Sequence, residues 1–256
     1  MALENHAFSV LRAVIWSKKK FNILVLGSGR GGTSLIASLL DAHPQLEIAL
    51  EAHAQKHLVV SAQGPDEQEL NRRLKSFIKD CEKDAKQSPF LSWGNKITTE
   101  QLGFLEALVP PPKAREQVYA KLLQGKKIIF ITRDGRTCIQ SKMRRTRCDL
   151  NTAVNYWKHS VNYLAFLRSQ ADAQLITLKF EDLLLQPETE LTKVCQFLDL
   201  NYHPQMLTGT ASNRIHSDYR QGEINREKIV LNSEALAIGQ HIIEELNYLD
   251  YTLTFG

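Results

Sequence analysis

Residues 21–34 read FNILVLGSGRGGTS, an apolar run followed by a glycine-rich segment and the start of a helical pattern. The apolar residues 22–26 predict a buried strand, and the run SLIASLL from Ser34 predicts a helix. A strand, a glycine-rich turn and a helix in this order direct backbone N–H groups and the positive end of the helix dipole to one point. The stretch therefore predicts an anion-binding loop, which comprises Ser28, Gly29, Arg30, Gly31, Gly32, Thr33 and Ser34.

The loop fits two nucleotide-binding motifs and departs from each. The spacing Gly27-x4-Gly32 is that of the phosphate-binding loop of kinases and ATPases, but Thr33 stands where that motif has its lysine. Gly27-x-Gly29-x-x-Gly32 satisfies the dinucleotide fingerprint, although a lone match of this pattern has little specificity. In a third arrangement, Arg30 lies in the middle of the loop with hydroxyl groups at the helix start, which suits a terminal anionic group that is transferred.

Composition indicates an ordinary globular protein and excludes several classes. The chain has 256 residues, of which 43% are hydrophobic and 23% charged, so we expect one α/β domain over 1–256. The net charge of +4 is too small to favour nucleic acid as the main partner. No apolar run approaches the ~18 residues of a membrane span, and we expect no integral membrane segment.

The cysteines lie far apart, at Cys81, Cys138, Cys148 and Cys195. They form no CxxC pair and have no histidine spacing suited to zinc, so we expect no metal site. Scattered cysteines of this kind are typical of reduced thiols, and we expect a cytoplasmic protein. The oligomeric state is not predicted.

Strand-like and helix-like segments alternate along the chain. Apolar runs at 22–26, 46–50, 127–132 and 175–180 predict strands, and helical patterns cover 66–87 and 151–169. This alternation predicts an α/β fold, a P-loop-like three-layer sandwich with a central, mostly parallel sheet flanked by helices. We expect four further regions: an N-terminal arm or helix at 1–20, a helical substrate-side region at 53–125, a long polar loop at 208–230 that covers the cofactor, and a last helix around 232–246.

A second anion site is predicted where strand 127–132 ends. Ligands of open parallel sheets bind at the carboxyl ends of the strands, so this strand brings Arg133 to the same edge as the glycine-rich loop. Ser141 lies eight residues later, about two helical turns, and can face the same phosphate as Arg133. Alternatively, Arg133 and Asp134 form a surface salt bridge. The basic residues from Arg144 onward are typical of a solvated helix face.

Taken together, these motifs resemble the sulfotransferases that use 3′-phosphoadenosine 5′-phosphosulfate (PAPS). In that family the first strand–loop–helix holds the 5′-phosphosulfate, and a strand ending in Arg, with a Ser eight residues later, holds the 3′-phosphate. The segment Lys179-Phe180-Glu181-Asp182 is also similar, with Phe180 where relatives often have Tyr. The resemblance implies PAPS as donor, PAP as product, no metal, and Arg214 and Arg220 of the late loop as further cofactor ligands.

Within this family, the loop arginine and the following LLDAHP (39–44) look most like the tyrosylprotein sulfotransferases and their bacterial relatives. In that group a catalytic Glu follows the loop Arg by 21 residues, which corresponds here to Glu51. A Lys in an Asn-Lys context corresponds to Lys96. The resemblance implies that Glu51 is the base, and that Arg30 and Lys96 carry the positive charge on the leaving side.

Several alternatives remain open at this point. His43, His53 and His57 are also natural bases near neutral pH. The expected reaction is in-line transfer of the PAPS sulfuryl group to an acceptor hydroxyl, which a small molecule, glycan, lipid or peptide could supply. The glycine pattern, with Glu47 or Glu51 about 20 residues later, also allows a nicotinamide-dependent oxidoreductase. A non-catalytic nucleotide-binding protein is the third reading.

Overall fold

The computed structural model of the protein describes residues 21–60, 64–90, 92–211 and 230–251. Within these ranges, five strands form one parallel sheet in the order β2-β3-β1-β4-β5. The strands are β1 (Phe21–Leu26), β2 (Leu46–Leu50), β3 (Ser92–Lys96), β4 (Lys127–Thr132) and β5 (Gln174–Lys179). Because the strands run in one direction, their carboxyl ends lie along one edge of the sheet, which we call the carboxyl rim.

Helices connect the strands and follow the last one. They are α1 (Thr33–Asp41), α2 (Ala54–His57), α3 (Glu67–Gln87), α4 (Thr99–Glu106), α5 (Lys113–Val118), α6 (Gly135–Thr146), α7 (Leu150–Ser169), α8 (Phe180–Leu185), α9 (Pro187–Phe197), α10 (Ser233–Gly239) and α11 (Ile243–Tyr248). A π-helical turn covers Tyr119–Leu123, and a 3₁₀ segment covers Pro204–Ala211. In the described part of the chain, none of the helices is both long and apolar enough to cross a membrane.

The sheet is covered by helices on both faces. Successive residues of β1 point to opposite faces, so Leu24 and Leu26 enter one apolar cluster while Ile23 and Val25 enter another. The first cluster includes residues of α3, α5 and α7, and the second includes residues of α1, α8 and α9. The predicted P-loop-like three-layer sandwich is therefore confirmed.

The strand order separates this sheet from a dinucleotide-binding sheet. A dinucleotide-binding sheet places its second strand directly beside the first. Here β1 lies between β3 and β4, and β2 lies outside β3. The Glu47 carboxylate, one of the two acids expected for a ribose, instead accepts a hydrogen bond from Ser88 Oγ at 2.6 Å. The order of the strands thus argues against the nicotinamide-dependent alternative.

Strand β3, with the sequence SWGNK, is absent from the sequence-based expectations because it has no apolar run. Its place in the sheet depends on close packing at Gly94, where a Cβ atom would lie 2.7 Å from Ile48 Cδ1 and 2.9 Å from Ile23 Cβ. The buried residues after Gly94 are Asn95 and Lys96, both polar. A strand that brings polar groups to the carboxyl rim does not show the usual hydrophobic pattern.

Most of the other expected elements agree with the structure. The helices expected over 66–87 and 151–169 correspond to α3 and α7, while the strand expected over 175–180 ends one residue early because Phe180 begins α8. The expected last helix is divided into α10 and α11. The region 53–125 contains α2 to α5 and also β3. The arm at 1–20 and most of the loop at 208–230 lie outside the described residues.

A partly buried carboxylate supports the end of β4. Glu181 accepts a hydrogen bond from the backbone N–H of Asp134 at 3.0 Å and another from the Tyr251 hydroxyl at 2.8 Å. Burial raises the pKa of Glu181 above its usual range, because the charged form loses hydration. Burial, together with the Glu181 carboxylate, also raises the pKa of Tyr251. The turn after β4 is therefore held by a carboxyl group that is costly to ionise.

This arrangement predicts a pH-dependent effect of Glu181→Gln. The folded state has the higher carboxyl pKa, so wild-type stability falls as the pH rises through that pKa from the reference value of 4.5. The variant has no carboxyl group to ionise at this position. Its free energy of unfolding, relative to wild type, should therefore rise between about pH 4.5 and 7 in urea titrations. The exposed Glu116→Gln variant controls for the loss of one negative charge, and a constant difference for Glu181→Gln across this range contradicts the prediction.

Candidate active site

The loop between β1 and α1 has a backbone that its glycines permit. Gly32 has φ 95°, and a Cβ atom there would overlap the Phe180 ring. A side chain at this position is excluded on both counts. Arg30 also has positive φ, 72°, and the N–H of Gly31 donates to Ser28 O at 2.8 Å to close the turn. A strained non-glycine residue in such a loop is typical of a functional position.

The N-terminus of α1 offers backbone donors to an anion. Gly32 occupies the N-cap position and has no side chain that could accept a hydrogen bond from the first turn. The first turn, which begins with Thr33 and Ser34, contains no acidic residue. Thr33 is buried and Ser34 is partly exposed. An uncapped helix start with hydroxyl groups and a neighbouring arginine suits a phosphate or sulfate group.

Arg133 lies at the end of β4, on the carboxyl rim, and is 6% exposed. Its Nη1 donates to Arg30 O at 2.9 Å, its Nε donates to Thr137 Oγ1 at 3.0 Å, and its guanidinium stacks on the Phe180 ring at 4.6 Å. The alternative of a surface salt bridge is wrong for this site, because both Arg133 and Asp134 are buried. The Asp134 carboxylate accepts hydrogen bonds from Arg136.

The two predicted anion sites are in direct contact. Arg30 Nε donates to Ser141 Oγ at 3.3 Å, while Arg30 O accepts from Arg133 as described above. The first arginine belongs to the glycine-rich loop and the other two residues to the β4–α6 segment, more than 100 residues away in sequence. The structure therefore brings together the residues that the sequence assigns to the two ends of one nucleotide.

Glu51 and Lys96 form an ion pair on the same rim. Lys96 Nζ contacts Glu51 Oε1, and Gln101 Nε2 donates to Glu51 Oε2 at 3.0 Å. The Lys96 side chain is 4% exposed, whereas that of Glu51 is 42% exposed and accessible to an incoming group. Glu51 has φ 57°, an uncommon conformation for this residue type. The carboxylate is thus open on one side and held on the other.

The three histidines have other partners. His43 is buried, with Nε2 3.0 Å from Asn201 O and Nδ1 accepting from the Gln45 N–H. His53 and His57 each pair with an aspartate of α3, at 2.7 Å to Asp84 Oδ2 and 2.8 Å to Asp80 Oδ2 respectively. These contacts attach both ends of α2 to α3. Of the candidate bases, Glu51 is the one that contacts a predicted catalytic residue.

Three residues of the site were not predicted: Glu100, Gln101 and Lys142. Glu100 accepts hydrogen bonds from the Gly29 N–H at 2.9 Å and from Ser28 Oγ at 3.2 Å, and it forms an ion pair with Lys142. Burial raises the pKa of Glu100, but the Lys142 ammonium and the Gly29 N–H together outweigh this effect, and the pKa lies below its usual range. The spacing Thr98-x-x-Gln101 is a capping box and could have marked the start of α4. The contacts of Glu100 with the loop and with Lys142, and of Gln101 with Glu51, join residues far apart in sequence, and no local sequence pattern indicates them.

The remaining residues considered for the site differ in their surroundings. Arg214 and Arg220 lie outside the described residues. Arg144 is exposed and pairs with Glu234 at 3.0 Å, as expected for a solvated helix face. Among the described residues, no group of three or more His, Cys, Asp or Glu is arranged to hold a metal ion.

Comparison with known proteins agrees with this geometry. A family model described as the sulfotransferase family matches residues 117–204, which contain β4, α6 and β5. A putative protein-tyrosine sulfotransferase of Caenorhabditis briggsae is 25% identical over 203 residues, which cover 72% of this chain and 68% of that protein. A protein-tyrosine sulfotransferase of Drosophila melanogaster is 22% identical over 209 residues, which cover 72% of this chain and 39% of that protein.

A solved structure has the same fold. The sulfotransferase domain from the curacin biosynthetic pathway superposes with a TM-score of 0.54 at 19% identity, covering 88% of this chain and 98% of that domain. The family match over 117–204 and the related sequences make part of the chain similar to sulfotransferases, and the solved structure shows the same fold.

Proposed function

We propose that the protein transfers the sulfuryl group of PAPS to an acceptor hydroxyl. The observation that carries this proposal is the contact of Arg30 with Ser141 and Arg133, which brings the two predicted anion sites next to each other. A donor with a phosphate at one end and a phosphosulfate at the other matches such a pair of sites. The ion pair of Glu51 and Lys96 on the same rim supplies groups for the chemistry.

The residues present fit such a donor. Arg133 and Ser141 would hold the 3′-phosphate, and the backbone N–H groups of the loop, with Thr33 and Ser34, would hold the 5′-phosphate. Arg30, whose Nε contacts Ser141 Oγ, is the loop residue that would bind the sulfuryl end. When bound, PAPS supplies the sulfuryl group and a stable leaving group, PAP.

The mechanism assigns different tasks to the two sides of the site. Glu51 accepts the proton of the acceptor hydroxyl, which its open face can approach. Lys96 orients the Glu51 carboxylate and, with Arg30, stabilises the negative charge that develops on the bridging oxygen of the leaving phosphate. Because Lys96 is almost completely buried, its charge acts in a medium that screens it weakly.

We propose a tyrosine hydroxyl in a peptide or protein as the acceptor to test first. Both curated relatives described above carry the name protein-tyrosine sulfotransferase. This chain spans only part of the length of these two relatives, 68% and 39% respectively, so sequence similarity supports the acceptor only as a proposal for this chain. The exposed face of Glu51 is compatible with an acceptor presented on a larger molecule.

The two-site reading predicts selective binding of PAP. PAP should raise the melting temperature and bind at micromolar concentration, whereas NAD(H) should do neither.

Arg133→Lys keeps the charge but loses the planar fork, so PAP binding should weaken by about tenfold or more. Titration calorimetry measures the effect. Arg145→Lys, the same exchange at an exposed position of α6, is the matched control and should bind PAP as wild type does. Equal affinity of all three proteins would refute the assignment of Arg133.

The proposed base predicts a catalytic defect without a binding defect. Glu51→Gln should bind PAP as wild type does, but its kcat for sulfation of a tyrosine peptide from radiolabelled PAPS should fall by about 10²–10⁴-fold. His53→Gln serves as the comparison, because His53 is the most exposed of the rival bases near the site. If Glu51→Gln retains near-wild-type turnover while His53→Gln loses it, the base is the histidine. If the wild-type protein sulfates none of the acceptors in a broad screen, the result would favour a non-catalytic nucleotide-binding protein.

A further inference from the structure

The start of α4 contacts both halves of the site. Thr98 is its N-cap, and the Thr98 N–H donates to Gln101 Oε1 at 2.9 Å in a capping box. The Thr99 N–H donates to the backbone oxygen of Gly27 at 3.0 Å, and Gly27 directly precedes Ser28 of the glycine-rich loop. The backbone of this turn is therefore tied to the end of β1. Its next two side chains, Glu100 and Gln101, reach in different directions.

Glu100 reaches the donor side. Its carboxylate accepts from the Gly29 N–H and from Ser28 Oγ, and the Lys142 ammonium balances its charge. The Glu100 and Lys142 side chains are 10% and 8% exposed, so the pair is almost completely enclosed. These contacts engage the first half of the loop and leave the N-terminus of α1 open to an anion. Glu100 thus holds the loop at Ser28 and Gly29 and does not occupy the start of α1.

Gln101 reaches the acceptor side. The amide can be oriented in one way only, because its oxygen accepts from the Thr98 N–H and its nitrogen must therefore face Glu51. Gln101 Nε2 donates to Glu51 Oε2, while Lys96 holds Glu51 Oε1. Gln101 is 7% exposed, so its rotamer is restricted by the surrounding packing. Both oxygens of Glu51 are thus bound to groups whose own positions are fixed.

We propose that Gln101 is a positioning residue for Glu51, and that the first turn of α4 holds this carboxylate at a set position relative to the glycine-rich loop. The inference rests on the proposed function, in which Glu51 is the base. A base must lie within hydrogen-bond reach of the acceptor proton while the donor is held in line, so small displacements between the two sides are costly. Two adjacent residues of one helical turn provide that constraint.

The charges around Glu51 determine what an exchange at position 101 does. Lys96 of β3 is the charged group in contact with Glu51, and Gln101 of α4 is neutral. His53 follows two residues later, but its ring pairs with Asp84 of α3. Gln101→Glu would replace a donor to Glu51 with a second carboxylate. It would preserve the capping box, since glutamate at this position also accepts the N-cap N–H.

The decisive experiment compares Gln101→Glu with Gln68→Glu, the same exchange in the first turn of α3 at an exposed position. In Gln101→Glu the acid limb of the kcat/KM profile should move up by about one pH unit or more, because two adjacent carboxylates resist ionising together. PAP affinity should remain close to wild type. Gln68→Glu should have the wild-type profile. An unchanged acid limb in Gln101→Glu overturns the inference.

A second variant and a second readout keep the inference separable from the proposed function. Gln101→Met removes the donor, and its kcat should fall by about tenfold with unchanged PAP affinity. Independently of activity, the carboxyl ¹³C resonance of Glu51, identified by its loss in Glu51→Gln, should titrate at higher pH in Gln101→Glu than in wild type. Absence of that shift also overturns the inference. If wild type transfers no sulfate but the resonance shifts, the proposed function fails while the contact between Gln101 and Glu51 stands.

Discussion

The site depends on the attachment of the glycine-rich loop to the end of β4. Arg133 donates to the backbone oxygen of Arg30, and Arg30 in turn donates to Ser141, so two hydrogen bonds link the loop to the β4–α6 segment. Without this contact, two cationic segments would repel each other across the carboxyl rim. A carbonyl oxygen and a hydroxyl accept the guanidinium hydrogens in the described structure. These hydrogen bonds hold the two predicted anion sites next to each other on the carboxyl rim.

The acceptor side is built on different principles. Glu51 is held by an ion pair and an amide, and its open face is the only part of the arrangement that is substantially exposed. Lys96 comes from β3, whose packing relies on Gly94, so the position of a buried charge depends on the absence of a side chain two residues earlier. The first turn of α4 then relates this side to the loop. The carboxyl ends of β2 and β3 supply Glu51 and Lys96, and the first turn of α4 sets the distance of Glu51 from the glycine-rich loop.

Much of this could be predicted from sequence, because the signals were local. The loop 27–34, the end of β4 and the three-layer fold follow from apolar runs, glycines and the rule that ligands bind at carboxyl ends of strands. Strand β3 could not be predicted, since Trp93 is its one apolar side chain and its buried residues Asn95 and Lys96 are polar. Glu100 and Lys142 form a pair between α4 and α6 that no spacing reveals. Glu51 and Lys96 were reached through family resemblance, and their contact is a tertiary property.

Phe180 adds a further constraint on this part of the molecule. One face of its ring carries the Arg133 guanidinium, and the same ring fills the space that a side chain at Gly32 would need. A larger or smaller residue at 180 would therefore disturb the loop and the arginine at once. An aromatic ring at 180 should therefore accompany a glycine at 32 and an arginine at 133 in related chains. The joint occurrence of an aromatic ring, a glycine and an arginine would be a signature that no single motif contains.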